Sequence, residues 1–146
     1  KELRGDVGVH GFWKRGTTAI FDIRVTDLDA RSHRTRDPRK ILLRHEKAKK
    51  VKYNDLCLAR RRSFTPLVFS VDGLRGPEGE AACKRLAALL SKKWSRPYSV
   101  VCAFIRCRLA LALARSASRC LRADRNPVLR PPTTGFASGD GLLLFR

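Results

Sequence analysis

Methionine is absent from this 146-residue chain, acidic side chains are scarce, and no two cysteines stand in a CxxC spacing. With Lys1 first and no methionine anywhere, the expectation is a piece of a longer translation product. His10, His33 and His45 keep no zinc-type spacing to Cys57, Cys83, Cys102, Cys107 or Cys120, so a structural zinc site has no ligand set. An odd, scattered set of cysteines reads as reduced thiols. The opening residues show no secretory or transit pattern, so the expected compartment is intracellular, and nuclear in a eukaryote. No stretch reaches the roughly twenty apolar residues of a membrane span. The longest, Val100 to Ala114, carries Arg106 and Arg108 in its middle and reads as a buried or partner-facing helix.

What the chain does have is positive charge. Lys and Arg number 32 against 13 Asp and Glu, a formal net charge of +19. Such a field collects polyanions, either by releasing counterions from a phosphate backbone or by settling on an anionic membrane. Nucleic acid is the first expectation; a ribosome-associated basic protein is another class with the same composition. Arginine outnumbers lysine, which suits bidentate phosphate contact. An apolar content of 43% is enough for one buried core.

Residues Asp6 to Trp13 and Thr18 to Thr26 read as two strands joined at Lys14-Arg15-Gly16-Thr17, where Gly16 can take the positive φ of a tight turn. In the second strand Phe21, Ile23 and Val25 point one way; Ile20, Asp22, Arg24 and Thr26 point the other. Pairing Trp13 with Thr18 sets Asp22 opposite Val9 and leaves Asp6 about three residues off, on the order of 10 Å. A bend or bulge at Gly8 or Gly11 is then needed to bring the two acids together. Asp37-Pro38 is an N-cap followed by proline at the first helical position, and predicts a helix to about Arg62. On it His45, Lys49 and Lys52 share one face, with His45 expected at the surface, facing phosphate. Phe64 to Val71 reads as a buried strand; Pro77 opens a second helix with acids in its first turn and Lys92-Lys93 in its last. A third helix spans about Tyr98 to Leu121, packing with one face and presenting arginines to phosphate with the other. Trp13, Trp94, Tyr53 and Phe64 read as core rather than as base-stacking platforms. The fold class is therefore α/β: a mixed three- or four-stranded sheet with flanking helices in the order β-β-α-β-α-α. Strands two and three should run parallel through a right-handed crossover.

Two strand-borne aspartates near lysines, in so basic a chain, suggest a divalent metal held against a phosphodiester. Arg4-Gly5-Asp6-Val7, Ile20-Phe21-Asp22-Ile23-Arg24-Val25-Thr26, Lys49-Lys50-Val51-Lys52-Tyr53 and Phe64-Thr65-Pro66-Leu67-Val68 together resemble the PD-(D/E)XK, or restriction-endonuclease-like, nucleases. The nearest likeness is to endonuclease domains attached to retrotransposon reverse transcriptases. The resemblance covers roughly Arg4 to Trp94 and implies an endonuclease-like domain, taken as residues 1–122, with metal-dependent cleavage of DNA or an RNA–DNA hybrid; the prolines, glycines and serines from Arg125 on suggest a disordered tail over 123–146. The resemblance also implies Asp6 and Asp22 as ligands of Mg²⁺ or Mn²⁺, and a reverse transcriptase upstream as partner. The family's proline before the first acid is Gly5 here. Its lysine two residues past the second acid is Arg24, which holds charge but cannot act as a base. Lys49 or Lys52, from the following helix, is expected to take that place. The same fold without catalysis would serve as a basic nucleic-acid-binding domain.

Overall fold

In the computed structural model, residues 5–33 and 35–123 are described; the tail expected over 123–146 lies, apart from its first residue, outside them. The element order is β1 (Val7–His10), β2 (Thr18–Thr26), α1 (Pro38–Ala59), β3 (Arg62–Ser70), α2 (Pro77–Trp94) and α3 (Tyr98–Ala123). This is a mixed α/β architecture: a three-stranded sheet of order β1-β2-β3, with β1 antiparallel and β3 parallel to β2. The expected order of elements and the parallel crossover through α1 are both present.

The first strand is shorter than its sequence suggests, and the reason is hydrophobic. Only Val7 to His10 pair with β2, in the register Val7 with Phe21 and His10 with Thr18. Phe12 leaves the ladder and is buried, packing edge-on to Phe21 at 5.0 Å and to Trp13 at 4.9 Å. The Trp13 indole N–H donates to Thr65 Oγ1 at 2.8 Å. Burying a Phe ring outweighs the two or three ladder bonds it forgoes. The hairpin turn accordingly runs from Gly11 to Thr17, with Gly11 and Gly16 both at positive φ.

Alternation along β2 assigns its two faces. Ala19 and Phe21 cluster with Phe12 and with Ala82 of α2, joined by Leu67 and Leu89. The opposite face packs on α1, whose Ile41, Leu42, His45, Glu46 and Cys57 are buried. Ile23 and Val25 share the face of Phe21, as alternation expects, but stay 46% and 43% exposed, whereas Ala19 and Phe21 pack with Ala82 of α2. β3 is an edge strand buried from both sides by helices, and Pro66, lacking an N–H, is tolerated there.

Asp37 caps α1 by accepting from the Arg39 N–H at 2.8 Å. The helix stops at Ala59, earlier than expected: Arg60 and Arg61 make the turn, Arg61 at φ 53°, and Arg62 already belongs to β3. In α2, Glu78 and Glu80 occupy the first turn and Lys92 and Lys93 the last, as the dipole favours. α3 packs on α2 through Val101 and Ile105 against Ala87. Trp94, expected in the core, is 43% exposed and stands perpendicular to the Phe104 ring at 5.6 Å. No helix among the described residues is long and apolar enough to cross a membrane.

Candidate functional site

Asp22 sits in mid-β2 on the face that meets α1. The buried stripe of α1 sets the rotation of the helix, and Lys49, one turn beyond buried His45, is thereby aimed at β2. Its ammonium pairs with Asp22 Oδ2. Both side chains are sheltered, 24% exposed for Lys49 and 14% for Asp22. Asp22 Oδ2 takes no well-directed hydrogen bond among the described residues, so the ammonium is its counter-charge. Across the ladder, the β3 partner of Asp22 is Pro66, fully buried and without a donor to offer.

Asp6 lies just before β1 and is exposed. Its Oδ2 accepts from the Ile23 N–H at 2.6 Å, while its own N–H donates to the Phe21 carbonyl at 3.0 Å. The ladder ends at Val7 with Phe21, and these two bonds hold Asp6 against the Phe21 to Ile23 stretch of β2 that contains Asp22. The expected offset of Asp6, with Asp22 opposite Val9, is thus corrected: Val9 pairs with Ala19. The withdrawal of Phe12 and Trp13 into the core slides β1 along β2. The chain leaves the ladder at Gly11, one of the two glycines expected to allow a bend, at φ 73°.

The two candidate lysines separate. Lys49 makes the ion pair, whereas Lys52 is exposed and rests over the Tyr53 ring at 5.0 Å from its centroid. Lys49 also lies 6.0 Å from that centroid, and Tyr53 leans on Phe64 at 5.5 Å. The ring is a floor beneath both ammonium groups. Arg24 is exposed on the same strand face as Asp22.

His45 is buried at 8% exposure rather than at the surface. Its Nδ1 and Thr26 Oγ1 are hydrogen-bonded at 3.2 Å, and its ring meets His33 edge-on at 5.8 Å. Burial, reinforced by the charges of Arg24 and Arg44, holds its pKa below the ordinary value of 6.5.

Sequence reasoning passed over Glu46. It is 1% exposed, and its Oε1 accepts from the N–H groups of Glu78 at 3.1 Å and Gly79 at 3.4 Å. Glu46 thus caps α2 from another helix, because its own N-cap, Gly76, has no side chain to do so. Burial pushes its pKa up despite those donors. A Glu three residues before a Lys-rich turn carries no local signal of this contact.

Among the described residues, no three His, Cys, Asp or Glu side chains gather for a metal. A divalent ion would rest on Asp22 and the free oxygen of Asp6, the one or two carboxylates that Mg²⁺ takes while keeping waters and substrate oxygens. Asp22 Oδ2 is paired with the Lys49 ammonium, which a divalent ion would have to displace. No protein-family model, no curated protein and no solved structure matches the chain.

Proposed function

We propose that this chain is a metal-dependent nuclease domain with a restriction-endonuclease-like core, acting on the DNA backbone within a reverse-transcriptase-linked protein of a mobile element. The observation that carries the reading is the Asp22–Lys49 pair, presented by a central strand and its crossover helix, with Asp6 bonded to the flanking residues Phe21 and Ile23. A net charge of +19 supplies the attraction for a polyanion.

Asp22 and Asp6 would hold Mg²⁺ or Mn²⁺, which supplies Lewis-acid polarisation of the phosphate and a bound water of lowered pKa. Lys49 then faces an incoming phosphodiester in place of a carboxylate, and its ammonium offsets the negative charge gathering on the phosphoryl oxygens. Tyr53 holds that ammonium in place from below. Arg24 and Lys52, both exposed beside the pair, grip neighbouring phosphates.

A non-catalytic nucleic-acid-binding role is the second reading. It is favoured by Lys49 neutralising Asp22, and by Asp6 giving one oxygen to the Ile23 N–H. Supercoiled plasmid incubated with Mg²⁺ separates the two. The nuclease reading expects nicking that Asp22→Ala abolishes and Lys49→Met lowers about 10²-fold or more. Equal nicking by wild type and Asp22→Ala, or none by either, overturns it.

A further inference from the structure

Helix α3 carries apolar residues on two faces, and α2 takes one of them. Val101 and Ile105 are buried in a cluster with Ala87. Turned about 120° around the helix from these two lie Val100, Phe104, Cys107, Leu111 and Ala114, all exposed. Their spacings alternate four, three, four and three, the a and d pattern by which one helix seats another. Val100, Phe104 and Leu111 are exposed large side chains, and Trp94, exposed in its turn, stands against Phe104 and widens the patch. Exposed apolar side chains in register along one helix mark a docking surface.

The two flanks of this stripe differ. In heptad terms Arg108 and Arg115 fill the e positions, and Ala103 and Ala110 the g positions. Both arginines are exposed and neither forms an ion pair among the described residues. The whole of α3 holds no Asp or Glu. Small alanines on one side let a partner backbone come close, while guanidinium groups on the other call for carboxylates opposite them. A second copy of this chain does not supply those carboxylates. Packed antiparallel, its e positions would set arginine against Arg108 and Arg115; packed parallel, those two would face alanine. A lipid surface matches less well. A helix lying in a membrane interface buries one broad apolar face, whereas α3 has given one apolar face to α2 and keeps a narrow stripe.

We propose that the stripe from Val100 to Ala114 docks one amphipathic helix of a partner protein, with leucine-like side chains at its a and d positions and Asp or Glu along the edge that faces Arg108 and Arg115. The interaction is independent of the nuclease reading, since neither Asp22 nor Lys49 takes part in it. The stripe runs about 21 Å, which about four turns of a partner helix cover.

Two labelled synthetic helices, added to the whole chain and followed by fluorescence anisotropy, test this. Both have leucine at every a and d position; one has Glu and the other Lys at e and g. The Glu helix should bind about tenfold or more tighter than a scrambled peptide of its own composition, which keeps the charge and loses the stripe. Leu111→Gln should weaken the Glu helix about tenfold. Arg108→Glu with Arg115→Glu should reverse the preference, losing about tenfold for the Glu helix and gaining about as much for the Lys helix. All three positions are exposed, so these changes leave the core intact. Lys14→Glu with Arg15→Glu, the same charge change at the exposed hairpin turn, should keep the wild-type preference. The proposal is overturned if the scrambled peptide binds as tightly, if the arginine exchange leaves the preference unchanged, or if wild type binds neither helix. It is also overturned if sedimentation shows a dimer that Leu111→Gln dissociates, which assigns the stripe to a second copy. Retention on phosphatidylserine vesicles that depends on Leu111, without binding of the Glu helix, assigns the stripe to lipid and overturns it as well.

Discussion

Lys49 is the residue on which the site turns, because it touches Asp22 directly while Lys52 touches an aromatic ring. Removing its charge takes from Asp22, 14% exposed, its one ion-pair partner among the described residues. Lys49→Met should therefore cost about 1–3 kcal/mol, and adding Asp22→Asn should recover part of it, a coupling visible in urea midpoints of the double-mutant cycle. His45 offers a pH test. Its folded-state pKa lies below the ordinary 6.5, so the folded chain binds fewer protons than the unfolded one. Its contribution to stability is complete above pH 6.5 and is lost as the pH falls from there through the lowered value. His45→Gln keeps a partner for Thr26 without titrating. Denaturation at pH 5 and 7.5 should show less stability gained, or more lost, on raising the pH in the variant than in wild type; an unchanged pH response would remove His45 as a cause.

At the scale of elements, the joint between α1 and the start of α2 depends on one carboxylate and one missing side chain. A Cβ at position 76 would overlap Glu46 Oε1, so Gly76→Ala must push out the group that caps α2. A loss of about 1–3 kcal/mol is expected, read as a lower thermal midpoint. Glu46→Gln keeps the acceptor and removes the buried charge. Because burial raises the Glu46 pKa above its ordinary 4.5, the charged form weakens the fold increasingly as pH rises through that raised value. The variant should gain stability over wild type at pH 7 and show no gain below pH 4.5, measured by urea midpoints at both. The hairpin carries a different lesson. Alternation in β2 was legible, but the register was not, because the burial of Phe12 against Phe21 decided where β1 ends.

For the whole molecule, charge dominates. The ion pairs of Lys49, Lys50 and Lys84 are the three seen among the described residues, so most cations are free to meet phosphate. With six or more phosphate contacts, raising salt from 50 to 200 mM should weaken DNA binding about 10³-fold or more, measured by filter retention. A flat response would remove nucleic acid as the partner. His45 and Glu46, adjacent in sequence, shift stability in opposite directions between pH 4.5 and 6.5. Their effects partly cancel in the wild type, which is why single variants are needed to see either.

The sequence alone determined the order of elements, the start of α1 at Asp37-Pro38, the dipole-matched ends of α2 and the basic character. These arise from local chemistry: caps, proline, periodicity and net charge act within a few residues or need no geometry at all. Tertiary structure decided which lysine meets Asp22, where Asp6 meets β2, that His45 is buried and that Glu46 caps a distant helix. Each of those depends on how α1 is rotated against the sheet, and on where aromatic burial halts β1. That balance is struck between segments far apart in the chain, so no window of sequence contains it.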